Sequence, residues 1–316
     1  MSEARRVVVT GGAGFLGSWV CEALVEQGCL VVCVDNFATG SPANLAKLQA
    51  GERFQLVDGD VSAGLHIDGQ VDWVLHLASP ASPAHYLKMP IETLKVGSVG
   101  TMHALDLAAV LGSRFLLAST SEVYGDPLQH PQREDYWGNV NPVGPRSVYD
   151  EAKRFSEALT MAYRTAGKVD TAIVRIFNTY GPRMLADDGR MIPTFIRQAL
   201  DGEPLTVAGD GTQTRSICYV DDTVAGLLAM VASEAPGPVN IGSPDEMTVL
   251  DLARRITSLT GSASQVRFVD LPVDDPRQRC PDGSLALSLL GWSPQVGSDE
   301  GLRRTIEWFE AQRAGR

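Results

Sequence analysis

The chain has 316 residues, 27 Lys+Arg against 38 Asp+Glu for a net charge of -11, and 44% hydrophobic residues. At about 100–200 residues per domain it holds one large or two modest domains, and this composition excludes a disordered or coiled-coil chain. The acidic balance disfavours a broad nucleic-acid or anionic-membrane surface, so an anionic ligand would need local arginines.

Residues 5–10 form an apolar β-branched run that ends at Gly11. Leu16, Trp19, Val20, Ala23 and Leu24 then recur at helical spacing until Gly28 can cap. A second apolar run, 30–34, ends in Asp35 and completes a βαβ unit. Further strands are predicted at 54–57, 71–77, 115–118 and 171–176, with helices around 91–111 and 149–166. This alternation implies an α/β fold with a doubly wound parallel Rossmann sheet over residues 1–180.

After Asn178 the rhythm changes to a helix near 191–201, short strands at 205–207 and 216–220, and helices near 221–232, 248–260 and 299–312. Residues 181–316 are therefore expected to form a smaller mixed α/β lobe, with a segment near 215–242 returning to the first domain. The loop 125–147 carries Pro127, Pro131, Pro142 and Pro145 and exceeds the ~12–15 residues usual for a connection, which marks it as functional. No continuous apolar run has the roughly 18–20 residues of a membrane span and no signal-peptide core precedes the first strand, so no membrane and a cytoplasmic location are expected. Five cysteines without CxxC spacing and five histidines without HxxH spacing predict reduced thiols and no metal.

Gly11, Gly14 and Gly17 stand at the first strand-to-helix turn, where missing side chains let backbone N–H groups approach a pyrophosphate. Asp35 follows Gly17 by 18 residues, where a carboxylate accepts from both ribose hydroxyls; no basic residue comes directly after it, which favours NAD over NADP. Asp60 fits either an adenine contact or a tight turn. Tyr149 and Lys153 share a helix face at i, i+4, so the ammonium is expected to help a phenol of pKa about 10 act as a base. Thr120 ends the fifth strand, with Ser121 and Glu122 directly after it. His76 is expected to be a satisfied core histidine and Cys218 a core thiol.

TGGAGFLG, HLASPASP, STSEVYGDP, YDEAK, RIFNTYGPRM, GDGTQTR and DDPRQR together resemble the extended short-chain dehydrogenase/reductase family. Within it, TSE before VYG, ASPASP and EDYWGNVNP resemble the UDP-glucuronate decarboxylases most narrowly, from about residue 7 to 309. The resemblance implies an NAD site made by Gly11, Gly14, Phe15, Leu16, Gly17, Asp35, Asn36, Asp60, Val61, Leu77 and Ala78, with Tyr149 and Lys153 beside the cofactor. It implies catalysis by Thr120, Ser121, Glu122, Tyr149, Lys153 and Arg279. A UDP-sugar would be held by Pro80, Ser82, Asn178, Arg190, Arg215 and Tyr219, with Arg279 on its carboxylate. Related dehydratases carry Asp where this chain has Ser121, and a serine has no comparably acidic proton to deliver.

The implied reaction is redox-neutral: oxidation at sugar carbon 4, loss of carbon dioxide from the β-keto acid, protonation at carbon 5 with Glu122 and an ordered water as candidates, and return of the hydride to give UDP-xylose. Family members usually form homodimers through the two helices flanking the long loop. Two departures stand out: Gly97 replaces an Asn that orders a relay water, and Ile217 with Cys218 replaces a Phe-Gln pair. Both suggest partial escape of UDP-4-keto-pentose. An epimerase or dehydratase on another nucleotide sugar, or a non-catalytic NAD(H)-sensing module, are the alternatives; the intact Thr120, Tyr149 and Lys153 set speaks against the last.

Overall fold

In the computed structural model, which describes residues 4–187 and 189–314, alternate residues of the first strand feed two different cores. Val7 and Val9 pack with Val20, Leu24, Val224 and Leu227, whereas Val8 packs with Val74, Ala104 and Leu105. A strand apolar on both faces must be covered on both, which is the condition for a parallel sheet between two helix layers. Seven strands form it: β1 (Arg6–Thr10), β2 (Leu30–Asp35), β3 (Phe54–Asp58), β4 (Trp73–His76), β5 (Arg114–Thr120), β6 (Thr171–Ile176) and β7 (Val239–Ile241). Their order is β7-β6-β5-β4-β1-β2-β3 and every pairing is parallel. The order reverses between β1 and β4, the switch point where such sheets open a crevice at their carboxyl ends.

The helices that position the site are α1 (Phe15–Glu26), α2 (Pro90–Leu111, with a π-helical turn at Val96–Gly100), α3 (Ser147–Thr165), α4 (Met191–Asp201), α5 (Val220–Ala232), α6 (Val249–Thr260) and α7 (Ser298–Ala314). Helices α1 and α5 pack together under one face of the sheet, and α2 and α3 cover the other. Because β7 lies in the main sheet and α5 packs on α1, residues 220–241 return to the first layer after the chain has begun the second lobe. That lobe combines α4, α6 and α7 with three two-stranded pairs: Leu205–Ala208 with Val266–Val269, Thr214–Ser216 with Glu246–Thr248, and Thr179–Tyr180 with Cys218–Tyr219. The Trp19 indole donates to the Pro182 carbonyl at 3.1 Å and Arg183 lies 4.0 Å over the same ring, joining α1 to the start of the lobe. All five cysteines are free and buried.

Helix α2 corrects one expectation. Its 22 residues, with a mean hydropathy of 1.2 in the best window, are long and apolar enough by length and composition to cross a membrane, although charged residues interrupt the run. In the fold its inner face, including Thr93, Val96, Ala104, Leu105 and Ala108, is buried, while Ile91, Leu94, Val99, Met102 and Val110 face outward.

Gly97 also has a packing role that its sequence position did not show. It lies in the π-helical turn, where an added Cβ would stand 2.6 Å from the Ala152 Cβ and 3.0 Å from the Ala152 carbonyl oxygen. Its own carbonyl accepts from Ser156 Oγ at 2.6 Å and Thr101 Oγ1 at 3.0 Å. This is a close contact between α2 and α3, and Ala152 fills the space that a larger residue at 97 would take. Gly97→Asn should therefore overpack the contact, destabilising the chain by roughly 1–3 kcal/mol, and Gly97→Asn/Ala152→Gly should recover most of the loss; thermal unfolding of the three proteins checks both.

Candidate active site

A cavity of about 710 Å³ opens at the carboxyl ends of the sheet strands and extends beneath the second lobe. Its floor is the glycine turn after β1. Gly11 has φ +72°, and a Cβ there would stand 2.7 Å from the Ala78 Cα; a Cβ on Gly17 would collide with the Gly11 carbonyl. The turn therefore admits only glycine at these points, leaving backbone and the start of α1 facing the cavity.

Asp35, at the end of β2, accepts from the Ala13 N–H at 2.9 Å on one oxygen and from the Phe37 N–H at 2.8 Å on the other. Burial raises its pKa, and the two N–H groups oppose that. Each oxygen keeps a lone pair for a ribose hydroxyl. Gly14, Phe15, Leu16, Asn36, Val61, Leu77 and Ala78 also line the cavity. Asp60 lines it too, and its Oδ1 accepts from the Ser62 N–H at 2.7 Å, so it forms the turn. The glycine cradle, the helix start and the Asp35 carboxylate fit a dinucleotide.

Thr120 ends β5 and caps the following turn, accepting from the Glu122 N–H at 3.3 Å. Across from it, α3 presents Tyr149 and Lys153, both lining the cavity. Lys153 Nζ donates to the Ala118 carbonyl at 2.9 Å and stands 5.9 Å from the Tyr149 ring centre. Burial pulls the Lys153 pKa down to about 8. Tyr149 stacks on Tyr86 with centroids 5.3 Å apart. Burial, followed by the negative charge of Glu122, pushes its phenol above the ordinary tyrosine value, against an opposing hydrogen bond from Thr120. The phenol keeps its proton in this pocket, so proximity of Lys153 does not by itself poise it near neutrality.

The Glu122 carboxylate is gripped from two sides. Arg279 donates to both of its oxygens, at 2.7 and 2.9 Å, and Arg146 to one at 2.8 Å. Burial alone would raise Glu122, but the two guanidiniums hold it well below the usual carboxylate range. Two expectations change here. Glu122 has no proton to deliver to a substrate carbon, and the Arg279 fork expected to await a sugar carboxylate is filled by Glu122. Arg146 also reaches Asp275 at 3.5 Å, and Asp275 accepts from Arg215 at 2.8 Å.

Ser121, Pro80, Asn178, Arg190, Arg215 and Ile217 line the cavity. Ser82, Tyr219 and Cys218 are outside its wall. Ser82 is fully buried and bonds His85 Nδ1 at 2.9 Å at the start of the short helix Pro83–Tyr86. Tyr219 packs edge-on against Tyr180 and carries Arg304 over its ring, facing α7 instead. Cys218 is buried, so of the changed pair only Ile217 alters the pocket lining. His76 is neutral, its pKa pulled down to about 3 by burial and then by Lys153, and it meets Thr10 Oγ1 at 2.8 Å and Thr101 Oγ1 at 3.2 Å.

Sequence spacing missed Arg146, Tyr86, Ser79 and Asp275. Arg146 had a faint signal three residues before Tyr149, whereas the Tyr86 stacking has none because its partner comes from another element. Spacing also missed the convergence of His130, Glu246 and Cys280, whose ligand atoms lie within 4.8 Å of one another. The Cys280 thiol, pushed up to about 11 by burial and then Glu246, keeps its proton there.

Residues 7–242 match the NAD dependent epimerase/dehydratase family. The chain belongs to this family. It is 49% identical over 310 residues to UDP-glucuronic acid decarboxylase 1 of Danio rerio, spanning 98% of this chain and 74% of the relative. It is 50% identical over 305 residues to UDP-glucuronic acid decarboxylase 6 of Arabidopsis thaliana, spanning 96% and 88%. Among solved structures, UDP-glucuronic acid 4-epimerase from Bacillus cereus, in complex with UDP-glucuronic acid and NAD, superposes with a TM-score of 0.87 at 30% identity, over 97% of this chain and 99% of that one. For a member of an NAD dependent family, the glycine cradle carries a direct expectation. Gly17→Ala should lower dinucleotide affinity at least ~100-fold, because the Cβ collides with the backbone that cradles the pyrophosphate; the NAD content of the purified protein and a binding titration check it.

Proposed function

We propose that this chain converts UDP-glucuronate to UDP-xylose and carbon dioxide, using NAD that is regenerated in each cycle. The observation that carries the proposal is the placement of Arg279, Arg146 and Glu122 directly beside Thr120, Tyr149 and Lys153: machinery for handling a carboxylate next to machinery for oxidising an alcohol. The similarity to UDP-glucuronic acid decarboxylases along nearly the whole chain supports it.

Asp35 and the glycine cradle would hold the cofactor; when bound, NAD+ accepts the hydride of sugar carbon 4 and later returns it. Tyr149 would act as the base in its phenolate form, which burial disfavours and which the positive charges of Lys153 and of bound NAD+ would favour; its Oη then takes the proton of the sugar 4-hydroxyl, with Thr120 Oγ1 orienting the same oxygen. The resulting 4-ketone lies β to the carboxylate, so the carbon 5–carbon 6 bond breaks with its electron pair delocalised onto the keto oxygen. The Tyr149 and Thr120 hydroxyls stabilise that oxygen. Arg279 shares its guanidinium between Glu122 and the sugar carboxylate, and the negative charge of Glu122 disfavours a second anion beside it. Departure of neutral carbon dioxide removes that repulsion. A proton then reaches carbon 5 from a donor other than Glu122.

Incubation with UDP-glucuronate should yield carbon dioxide and nucleotide pentose in equal amounts, mainly UDP-xylose, with UDP-4-keto-pentose as the side product if the Ile217 lining lets the ketone escape. Tyr149→Phe should retain NAD yet lose about 10²–10⁴-fold in turnover. Recovery of a 4-epimer with its carboxylate intact would replace this proposal with an epimerase.

The same chain is proposed to work as a homodimer. The outward apolar residues Ile91, Leu94 and Met102 of α2 lie on a helix packed against α3, which itself exposes Phe155 and Met161. A two-helix apolar surface of this kind is suited to a second copy. Light scattering during size exclusion should give twice the chain mass, and Phe155→Glu should shift it toward the monomer.

A further inference from the structure

The residue directly after Tyr149 has no part in the steps above, yet it is a carboxylic acid in an unusual setting. Asp150 is only 5% exposed, its Oδ1 is fully enclosed, and among the described residues its carboxyl makes no hydrogen bond. The charged groups that act on it come from three places: Arg146 and Glu151 on its own helix, Glu122 on the turn after β5, and Arg279 from the second lobe. Tyr86, from the short helix beneath Tyr149, also feels its charge and has a buried hydroxyl without a partner. Both guanidiniums turn their terminal nitrogens elsewhere, while the Arg146 Nε–H is buried with no acceptor among the described residues. Arg279 gives both terminal nitrogens to Glu122, and Arg146 gives one to Glu122 and turns the other toward Asp275. A buried carboxyl without a hydrogen-bond donor on its enclosed oxygen is shifted toward its neutral form.

We propose that Asp150 couples binding of the carboxylate-bearing sugar to proton uptake: it is protonated whenever UDP-glucuronate is bound, so that entry of this substrate above neutral pH draws one proton from solvent onto the Asp150 carboxyl. The inference rests on the decarboxylase assignment of the site. Burial, then the charge of Glu122, already raise Asp150 to about 7 against the pull of Arg146 and Arg279. A sugar carboxylate entering the Glu122 cluster adds a second negative charge, which raises Asp150 further by the same sign. UDP-xylose brings the same diphosphate but no carboxylate. The proton is taken up as Asp150 passes from carboxylate to carboxylic acid and returns to solvent once carbon dioxide and UDP-xylose have left. It is separate from the proton consumed at carbon 5. Since the folded-state pKa lies above that of an ordinary aspartate, the neutral form dominates below about 7 and is lost as pH rises through that value.

The test is calorimetric titration of the NAD-loaded Tyr149→Phe protein, which binds without turnover, at pH 8 in two buffers of different ionisation enthalpy. UDP-glucuronate should take up close to one proton per site and UDP-xylose close to none. The Asp150→Asn protein in the same background should take up none with either. In the otherwise wild-type enzyme, KM for UDP-glucuronate should rise about tenfold per pH unit above the break while kcat changes little, and Asp150→Asn should flatten that rise. Equal uptake with the two ligands, or uptake that persists in Asp150→Asn, overturns the proposal. The two-ligand comparison needs no variant at position 150, so poor folding of Asp150→Asn does not protect it. Carbon dioxide release without ligand-specific proton uptake overturns the Asp150 role alone, whereas failure to bind UDP-glucuronate overturns the decarboxylase assignment and this role together.

Discussion

The carboxylate of Glu122, held by two guanidiniums, joins the catalytic edge of the sheet to the second lobe. Arg279 reaches it across 157 residues of sequence, and Arg146 reaches it from the start of the helix that carries Tyr149. A partly desolvated ion pair of this sort is worth little against a well-packed apolar substitute, but removing one partner strands a buried charge and is strongly destabilising. Its value here is geometric. It fixes the distance between the alcohol-oxidising pair on one side and the arginines that meet the sugar on the other.

The same clamp organises the proton inventory of the pocket. Because both guanidiniums favour the ionised form of Glu122, that residue stays anionic and its field raises Tyr149 and Asp150. Burial acts in the same direction on both. It lowers Lys153 and His76, so burial drives all four groups toward their neutral forms. The pocket thus separates its charges: Glu122 lies between Arg146 and Arg279, Asp275 lies between Arg146 and Arg215, and the neighbouring Tyr149, Asp150, Lys153 and His76 are pushed toward their neutral forms. Such separation is what lets a site receive a negatively charged sugar in a chain of net charge -11.

Packing constrains this chemistry at a distance. Gly97 and Ala152 set how closely α2 approaches α3, and α3 carries Tyr149 and Lys153 on one face with Asp150 beside it. A change of one side chain in that contact would displace the helix that bears the phenol. The glycine turn is constrained in the same way, since the backbone around Gly11 and Gly17 leaves no room for a Cβ. The two regions share one constraint, close backbone approach.

Local patterns along the chain determined the parallel sheet, the glycine turn and the Asp35 carboxylate, because strand alternation, helix spacing and turn chemistry each act over a few residues. The Tyr149–Lys153 pair on one helix and Thr120 at a strand end were legible for the same reason. Tertiary structure alone decided which way side chains point and what they meet. Ser82 and Tyr219 belong to motif segments yet are not part of the cavity wall: Ser82 is buried against His85, and Tyr219 faces α7. Arg146 and Tyr86 enter the site without a motif of their own, because their partners come from distant elements. The protonation of Glu122 and Asp150 could not be read from residue type, since it depends on burial and on which of two carboxylates wins the guanidiniums, and that competition exists only once β5, α3 and the second lobe have come together.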